Sequence, residues 1–347
     1  MPVHAQNRLL QVLGGSRIDP PPFWFMRQAG RYLPEYRDLR EKKGSFLDLV
    51  YDPDAAAEVT LQPIRRFGCS AAILFSDILV IPHALGQALR FEAGEGPRLS
   101  AIAKEQDLRC LSQERADEHL APIYETVRRV RANLEKETAL IGFCGGLWTV
   151  ASYMVAGRGG DEQAALKRWA YRDPDSLDRL FAVLERTSVR YLQGQVEAGA
   201  DALQIFESWA ANIPEPVFER YVIAPTRRIV EEVKRTAGFV PIIGFPRGAG
   251  GLLGRYVRET GIDAVSLDTG VTPAFAESCL PAGFPVQGNL DPLLVAAGGA
   301  MMLEEVRRIC DEFSGRPHIF NLGHGFVPDT PVAHVETLIE ALGPVDI

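Results

Sequence analysis

The 347-residue sequence has no run of about 18 uninterrupted apolar residues, so it predicts no membrane-spanning helix. Its first eight residues lack the apolar core of a secretory signal. The five cysteines are odd in number and form no Cys-x-x-Cys motif, which argues against a disulfide framework and a structural zinc site. These absences predict a cytoplasmic protein with reduced cysteines and no bound metal.

The chain also lacks an extended basic stretch, and its net charge is −8 with a pI near 5.4. Nucleic acids and anionic membranes require a broad positive surface, so neither is expected as a partner. Since 46% of the residues are hydrophobic, the chain can bury a large core. Composition therefore favours a globular protein whose partners are neither nucleic acids nor membranes.

Eight short apolar runs are typical of strands, and each is followed by a segment with the spacing of an amphipathic helix. The runs lie near 23–26, 71–75, 139–143, 202–206, 240–245, 264–267, 285–288 and 318–322. Eight such units without a linker-like break fit one closed (β/α)8 TIM barrel over residues 1–347 better than an open doubly wound sheet. The gap at about 76–138 must hold an insertion and more than one helix.

A weak internal repeat supports this alternation. Gly199-Ala-Asp201, Gly261-Ile-Asp263 and Gly68-Cys-Ser70 each place a glycine at a helix end and a short polar residue just before a strand. The repeat predicts one type of helix-to-strand turn used three times.

In a barrel, the residues that follow each strand meet at one mouth, where active sites of this fold lie. The sequence places the following residues there: Arg27, Arg31, Asp77, Gly145, Gly146, Ser208, Arg247, Asp268, Asn289, Asp291, Asn321 and His324.

Arg27 and Arg31 stand four residues apart after the first apolar run. A pair of arginines can simply be solvated, but residues 27–43 hold six basic side chains against three acidic ones in an otherwise acidic chain. A guanidinium offers a fork of donors that fits a carboxylate or a phosphate. The local excess of positive charge therefore predicts an anion-binding site.

Asp77 lies between apolar neighbours in Phe75-Ser-Asp-Ile-Leu, where it could cap a turn, face a cationic or N–H-bearing ligand, or pair with the arginines. His324 sits between glycines after the last strand, and either a structural or a ligand-binding role fits it. Tyr153 is by default a core residue. Ser208 lacks the Gly-x-Ser-x-Gly setting of a hydrolase nucleophile.

The segment Phe23-Trp-Phe-Met-Arg-Gln-Ala-Gly-Arg-Tyr-Leu-Pro-Glu-Tyr-Arg37 closely resembles the N-terminal signature of the uroporphyrinogen decarboxylase family. Further similar segments begin at Gly142, Phe75, Phe206, Gln287 and Asn321, so the resemblance covers essentially the whole chain.

This resemblance implies a (β/α)8 barrel, usually a homodimer, with the active site at the carboxyl ends of the strands. It implies a carboxy-lyase of heme and porphyrin biosynthesis that converts the four acetate side chains of uroporphyrinogen III to methyl groups, giving coproporphyrinogen III, without a cofactor or a metal. By motif, the implied catalytic residues are Asp77, Arg27 and Arg31. The implied substrate-binding residues are Arg27, Gln28, Ala29, Gly30, Arg31, Asp77, Tyr153, Ser208 and His324.

Two other functions are compatible with parts of the sequence. A zinc-dependent corrinoid or coenzyme M-type methyltransferase has a similar fold, but its His-x-Cys motif is absent at His324-Gly-Phe, and no cysteine follows Cys310. A non-enzymatic tetrapyrrole carrier would need the arginines without the apolar setting of Asp77.

Overall fold

The computed structural model describes residues 7–92, 96–160 and 163–343. The first six and last four residues of the domain predicted over 1–347 therefore lie outside the described residues. No helix in the described ranges is long and apolar enough to cross a membrane.

The strands are β1 (Ala71–Ile73), β2 (Leu89–Glu92), β3 (Gly96–Leu99), β4 (Ala139–Gly145), β5 (Ala202–Glu207), β6 (Ile242–Pro246), β7 (Ala264–Ser266), β8 (Val286–Leu290) and β9 (His318–Leu322). The helices of the first half are α1 (Arg8–Leu13), α2 (Pro34–Lys43), α3 (Phe46–Val50), α4 (Pro53–Phe67), α5 (Val80–Leu85), α6 (Gln113–Asn133), α7 (Leu147–Ala156), α8 (Ala164–Arg172) and α9 (Pro174–Glu197). Those of the second half are α10 (Glu215–Phe218), α11 (Ala224–Ala237), α12 (Leu253–Thr260), α13 (Pro273–Cys279), α14 (Pro292–Ala297), α15 (Gly299–Phe313) and α16 (Val332–Leu342).

Seven parallel strands form the central sheet in the order β1-β4-β5-β6-β7-β8-β9. The segment around Phe23 lies between β9 and β1: Phe23 forms a parallel bridge with Phe320, and its carbonyl accepts a bond from the Ser70 N–H at 2.8 Å. This segment occupies the eighth position and closes the ring. The predicted (β/α)8 barrel is therefore confirmed.

The predicted strand over 23–26 is wrong in length, because pairing there is limited to the bridge at Phe23. Three prolines, Pro20 to Pro22, precede it and have no N–H to donate to a ladder. The remaining predicted strands agree with β1 and β4–β9 within a few residues. The predicted insertion after β1 contains α5, the antiparallel hairpin β2–β3 and α6.

The repeated turn is present at all three predicted places. The Asp201 carboxylate lies just before β5. It accepts a hydrogen bond from the Leu140 N–H, near the start of neighbouring β4, at 2.8 Å. Asp263 does the same for Ile242 of β6 at 2.8 Å, and the Ser70 hydroxyl accepts from Phe23 at 3.1 Å. Each polar residue therefore ties the start of its own strand to the start of the adjacent one.

Candidate active site

A cavity of about 680 Å³ opens at the carboxyl ends of the strands. Its wall includes the loop after Phe23, the turn after β1, the ends of β4 and β5, and the loop after β9. The predicted site residues that line it are Arg27, Ala29, Gly30, Arg31, Asp77, Tyr153, Ser208 and His324. The sequence thus brings side chains from distant segments to one cavity.

Gln28 is the predicted site residue that the structure does not bring to the cavity wall. Its side chain is fully buried, where Oε1 accepts the Phe25 N–H at 3.1 Å and Nε2 donates to the Ala71 carbonyl at 3.1 Å. The backbone at Arg27 has a positive φ of 59°, and this reversal turns the next side chain inward. Gln28 therefore anchors the arginine loop to the start of β1.

The Arg27 loop is joined to the loop after β9. The Met26 N–H donates to Asn321 Oδ1 at 3.0 Å, and the Phe326 N–H donates to the Met26 carbonyl at 3.1 Å. A Cβ atom at Gly325 would come within 2.4 Å of Arg27 Cδ, so the arginine stem lies directly on this glycine. The packing directs the Arg27 guanidinium into the cavity.

Arg27 and Arg31 carry guanidinium groups that are open to solvent through the cavity mouth. Within the described ranges, neither forms an ion pair or a side-chain hydrogen bond. The cavity walls displace much of the water around Arg27, and this desolvation lowers its pKa, while Asp77 opposes the change. An arginine with a lowered pKa still remains charged near neutrality. The two groups are available for an anionic ligand.

Asp77 is half-buried in the turn after β1, and its Oδ1 accepts the Leu79 N–H at 2.8 Å. The carboxyl group therefore caps a turn as well as lining the cavity. Burial raises its pKa, whereas the Leu79 N–H and the Arg27 charge act in the opposite direction. Among the described residues of the wall, Asp77 is the one carboxylate, and it shares the cavity with three arginines, Arg27, Arg31 and Arg40.

Tyr153 projects from α7, and its ring stacks on Trp209 with centroids 4.2 Å apart and planes inclined by 28°. Burial and the nearby Asp77 raise the pKa of Tyr153 to about 12, so the phenol is neutral at pH 7. Ser208 follows β5 directly on the same side of the cavity. These residues provide hydroxyl groups that can donate and accept hydrogen bonds.

His324 is partly buried beside the arginines, and its ring lies 6.4 Å from that of Phe245. Burial lowers its pKa to about 4, and the charges of Arg27 and Arg247 act in the same direction. The imidazole is therefore neutral at pH 7. It can exchange hydrogen bonds with a ligand, but it holds no extra proton to give away.

Arg40 and three phenylalanines also line the cavity, although the sequence alone does not predict them as site residues. Arg40 lies on α2 and lines the cavity near Phe46, Phe75 and Phe91. Phe46 contacts both other rings, with centroids 5.8 Å from Phe75 and 4.5 Å from Phe91. Arg40 belonged to the basic cluster noted in the sequence, but Phe91 comes from the β2–β3 hairpin, whose place over the cavity no local pattern reveals.

Several residues predicted for the mouth have other tasks. Asn289 donates to the carbonyls of Asp268 and Val271, and Asp291 caps α14. Gly145 and Gly146 lie outside the cavity wall, as does Arg247, although Arg247 is close enough to affect the pKa values of Arg27 and His324. Within the described ranges, no three His, Cys, Asp or Glu residues are grouped as metal ligands would be.

Comparison with known proteins identifies relatives over nearly the full length. The family model described as uroporphyrinogen decarboxylase matches residues 4–343. A protein named uroporphyrinogen decarboxylase from Rhizorhabdus wittichii is 59% identical over 336 residues, which cover 96% of this chain and 97% of the relative. A protein of the same name from Sphingopyxis alaskensis is 57% identical over 336 residues, which cover 97% of this chain and 98% of the relative.

A solved structure, a methyltransferase from Methanosarcina mazei, superposes with a TM-score of 0.79 over 97% of each chain. At 19% identity, that similarity supports the fold alone. The resemblance of the Phe23–Arg37 signature is confirmed by the family match and by the two close relatives: the chain belongs to the uroporphyrinogen decarboxylase family.

Proposed function

We propose that this protein is a carboxy-lyase that converts uroporphyrinogen III to coproporphyrinogen III by removing carbon dioxide from the four acetate side chains. The observation that carries the proposal is the cavity whose described wall holds three arginines and one carboxylate, Asp77. Family membership supports the same activity.

The substrate has the complementary arrangement of charge. Its eight carboxylates lie around the outside of a flexible macrocycle, while four pyrrole N–H groups point inward. Arg27, Arg31 and Arg40 fit the carboxylates because guanidinium groups bind them in bidentate geometry. Asp77 fits the N–H groups, since a carboxylate accepts several hydrogen bonds.

The reaction consumes one proton for each carbon dioxide released. Protonation of a pyrrole carbon creates a cation, and the electron pair of the breaking C–C bond flows into it as carbon dioxide leaves. The resulting exocyclic methylene takes up a proton to become the methyl group, and the ring then returns the proton it first received. Because the pyrrole serves as its own electron sink, no cofactor is required.

The residues divide these tasks among them. Asp77 stabilises the pyrrole cation, and the same desolvation that raises its pKa strengthens its attraction to a positive charge. Arg27 and Arg31 orient the acetate that is lost, with Ala29 and Gly30 forming the loop between them. Tyr153, Ser208 and neutral His324 contact the substrate side chains, while Gln28 holds the loop from behind.

The same proposal covers the organisation of the protein. We expect residues 1–347 to act as one domain, and we expect two copies to associate as a cytoplasmic homodimer. Sedimentation equilibrium tests the association: a mass twice the 38.2 kDa of the chain is the expected result. A single species of 38.2 kDa at micromolar concentration would contradict it.

The reaction itself is tested by incubating purified, metal-stripped protein with reduced uroporphyrinogen III and separating the oxidised products by chromatography. The expected products carry seven to four carboxylates and end at coproporphyrin. Binding without any product, even in a single turnover at excess protein, would instead indicate a carrier. Methyl transfer to a thiol acceptor that depends on added zinc would support the methyltransferase.

A further inference from the structure

A buried carboxylate outside the cavity holds part of its wall in place. Glu207 is the last residue of β5, between Phe206 and Ser208, which both line the cavity. Glu207 itself is fully buried and does not reach the cavity. A carboxylate in such a place is costly unless its oxygens are bonded.

Both oxygens of Glu207 are bonded to the beginning of α7. Oε2 accepts the Trp148 N–H at 3.1 Å, and Oε1 accepts the Thr149 N–H at 2.8 Å together with the Thr149 hydroxyl. The N-cap of α7 is Gly146, which has no side chain to bond the free N–H groups. Glu207 therefore supplies, from another element, the cap that α7 lacks.

The glycine is required for this contact. A Cβ atom at residue 146 would come within 2.4 Å of Glu207 Oε2, so any larger residue would push the carboxylate away from the helix. The Gly146 N–H also donates to the Phe206 carbonyl at 2.8 Å. The end of β5 and the start of α7 are thus held in one fixed relative position.

The connection continues from Glu207 to the cavity through Thr149. The hydroxyl of Thr149, which donates to Glu207, accepts the Trp209 N–H at 3.0 Å. The ring of Trp209 stacks on Tyr153, which belongs to the same helix α7. Gly159 packs against the two stacked rings: a Cβ atom at this position would lie 3.4 Å from Tyr153 and 3.6 Å from Trp209.

We propose that Glu207 is a positioning residue of the decarboxylase: it fixes the start of α7 and Trp209 so that Tyr153 and Ser208 face the substrate. The inference rests on the proposed function. Glu207 does not contact the substrate; it determines the positions of Tyr153 and Ser208, which do.

The positioning by Glu207 should depend on pH, because it requires the ionised carboxylate. Burial raises its pKa to about 7, so the carboxylate is protonated as the pH falls below neutrality. A protonated carboxyl accepts hydrogen bonds more weakly, and its O–H finds no acceptor among the three donors that Glu207 now bonds, which loosens the start of α7. The other titratable groups near it are Cys144 of β4 and Tyr256 of α12, whose pKa values burial raises far above 7.

The test compares Glu207→Gln, which keeps the shape but not the second acceptor oxygen, with the control Glu304→Gln at an exposed position of α15. We expect kcat of Glu207→Gln to fall about 10- to 100-fold with little change in KM, because small misplacement of binding groups costs that much. We expect kcat of the wild type to decline below pH 7 as Glu207 is protonated, and we expect this decline to be absent in Glu207→Gln. Thr149→Val, which removes the hydroxyl that joins Glu207 to Trp209 but keeps the bond from the Thr149 backbone N–H to Glu207, should also lower kcat.

A double-mutant cycle separates positioning from general stability. If Glu207 acts through Tyr153, then Tyr153→Phe should have a smaller effect in the Glu207→Gln background than in the wild type. Additive effects, or wild-type kcat and pH profile in a folded Glu207→Gln variant, would overturn the inference. So would a crystal structure of Glu207→Gln in which Tyr153 and Trp209 keep their 4.2 Å stack, whether or not the enzyme is active. An inactive wild type would contradict only the proposed function.

Discussion

Arg27 combines an unusual backbone conformation with a guanidinium that forms no ion pair with any residue the structure describes. Its φ of 59° is uncommon for a residue with a side chain and costs free energy that neighbouring contacts must offset. Those contacts come from Gln28, which is bonded to the start of β1, and from Gly325, on which the Arg27 stem lies. These contacts preorganise the Arg27 loop for binding an anion.

Replacing either arginine of the pair by lysine tests the importance of the guanidinium fork. Arg27→Lys and Arg31→Lys keep the positive charge but lose bidentate bonding, which we expect to reduce kcat/KM about 10- to 100-fold. Steady-state kinetics with uroporphyrinogen III measure the effect, and Arg307→Lys on the exposed side of α15 is the control. Wild-type kinetics for both cavity variants would refute this role.

Gly325→Ala tests the positioning of Arg27 without altering any charge. The added methyl group would overlap the arginine stem, so Arg27 must move, and we expect kcat/KM to fall about 10-fold or more with the fold retained. Gly315→Ala is a matched control, since a Cβ atom there meets nothing within 4 Å. If both variants were equally active, Arg27 would not need its observed position.

For single residues, the sequence correctly predicts a place in the cavity wall for side chains that come soon after a strand. Asp77, Ser208 and His324 do so, and all three line the cavity. Gln28 could not be placed, because the direction of its side chain depends on the reversal at Arg27. The importance of Glu207 was hidden, because its partners on α7 are about 58 residues away in sequence.

Among the elements, the repeated helix-to-strand turn is the clearest link between sequence and barrel. Asp201 bonds the Leu140 N–H and the Arg131 guanidinium, and Asp263 bonds the Ile242 N–H and Lys234. The repeat was visible in the sequence, whereas its partners on the adjacent strands were not. Strand pairing depends on three-dimensional closure that local patterns do not encode.

Removing these carboxylates should weaken the barrel without affecting catalysis. Asp201→Ala and Asp263→Ala each leave a buried N–H without its acceptor, which costs about 1–3 kcal/mol of the free energy of unfolding. Urea denaturation measures this loss, and exposed Asp311→Ala should change it far less. Because both turns lie at the opposite end of the strands from the cavity, kcat should stay near the wild-type value. A large fall in kcat at unchanged stability would contradict this division.

The insertion after β1 illustrates the limit of prediction at this scale. The sequence indicates extra residues and helices between 76 and 138, and α5 and α6 fulfil that expectation. The β2–β3 hairpin was not predicted, although it brings Phe91 and Pro97 to the cavity. Its position follows from packing against Phe46 of α3, a contact between segments far apart in the chain.

For the molecule as a whole, a chain of net charge −8 carries three arginines on the wall of one cavity. Closure of the barrel by the short Phe23 segment places Arg27 beside the turn of Asp77, since Phe23 is bonded to Ser70 just before β1. The overall fold could be predicted from the alternation of strands and helices. The presence of one carboxylate and three arginines on one cavity wall required the structure, because these residues come from α2, the turn after β1 and the segment before α2.

The central claim is that Asp77 stabilises the cationic intermediate of decarboxylation in this cavity. The most direct measurement is kcat for coproporphyrinogen formation by the wild type, Asp77→Asn and the control Asp291→Asn, which retains a capping side chain on α14 outside the cavity. We predict a loss of about 100- to 1,000-fold for Asp77→Asn, the range seen when one preorganised electrostatic group is removed, and near-normal turnover for Asp291→Asn. A folded Asp77→Asn variant with wild-type kcat would contradict the account.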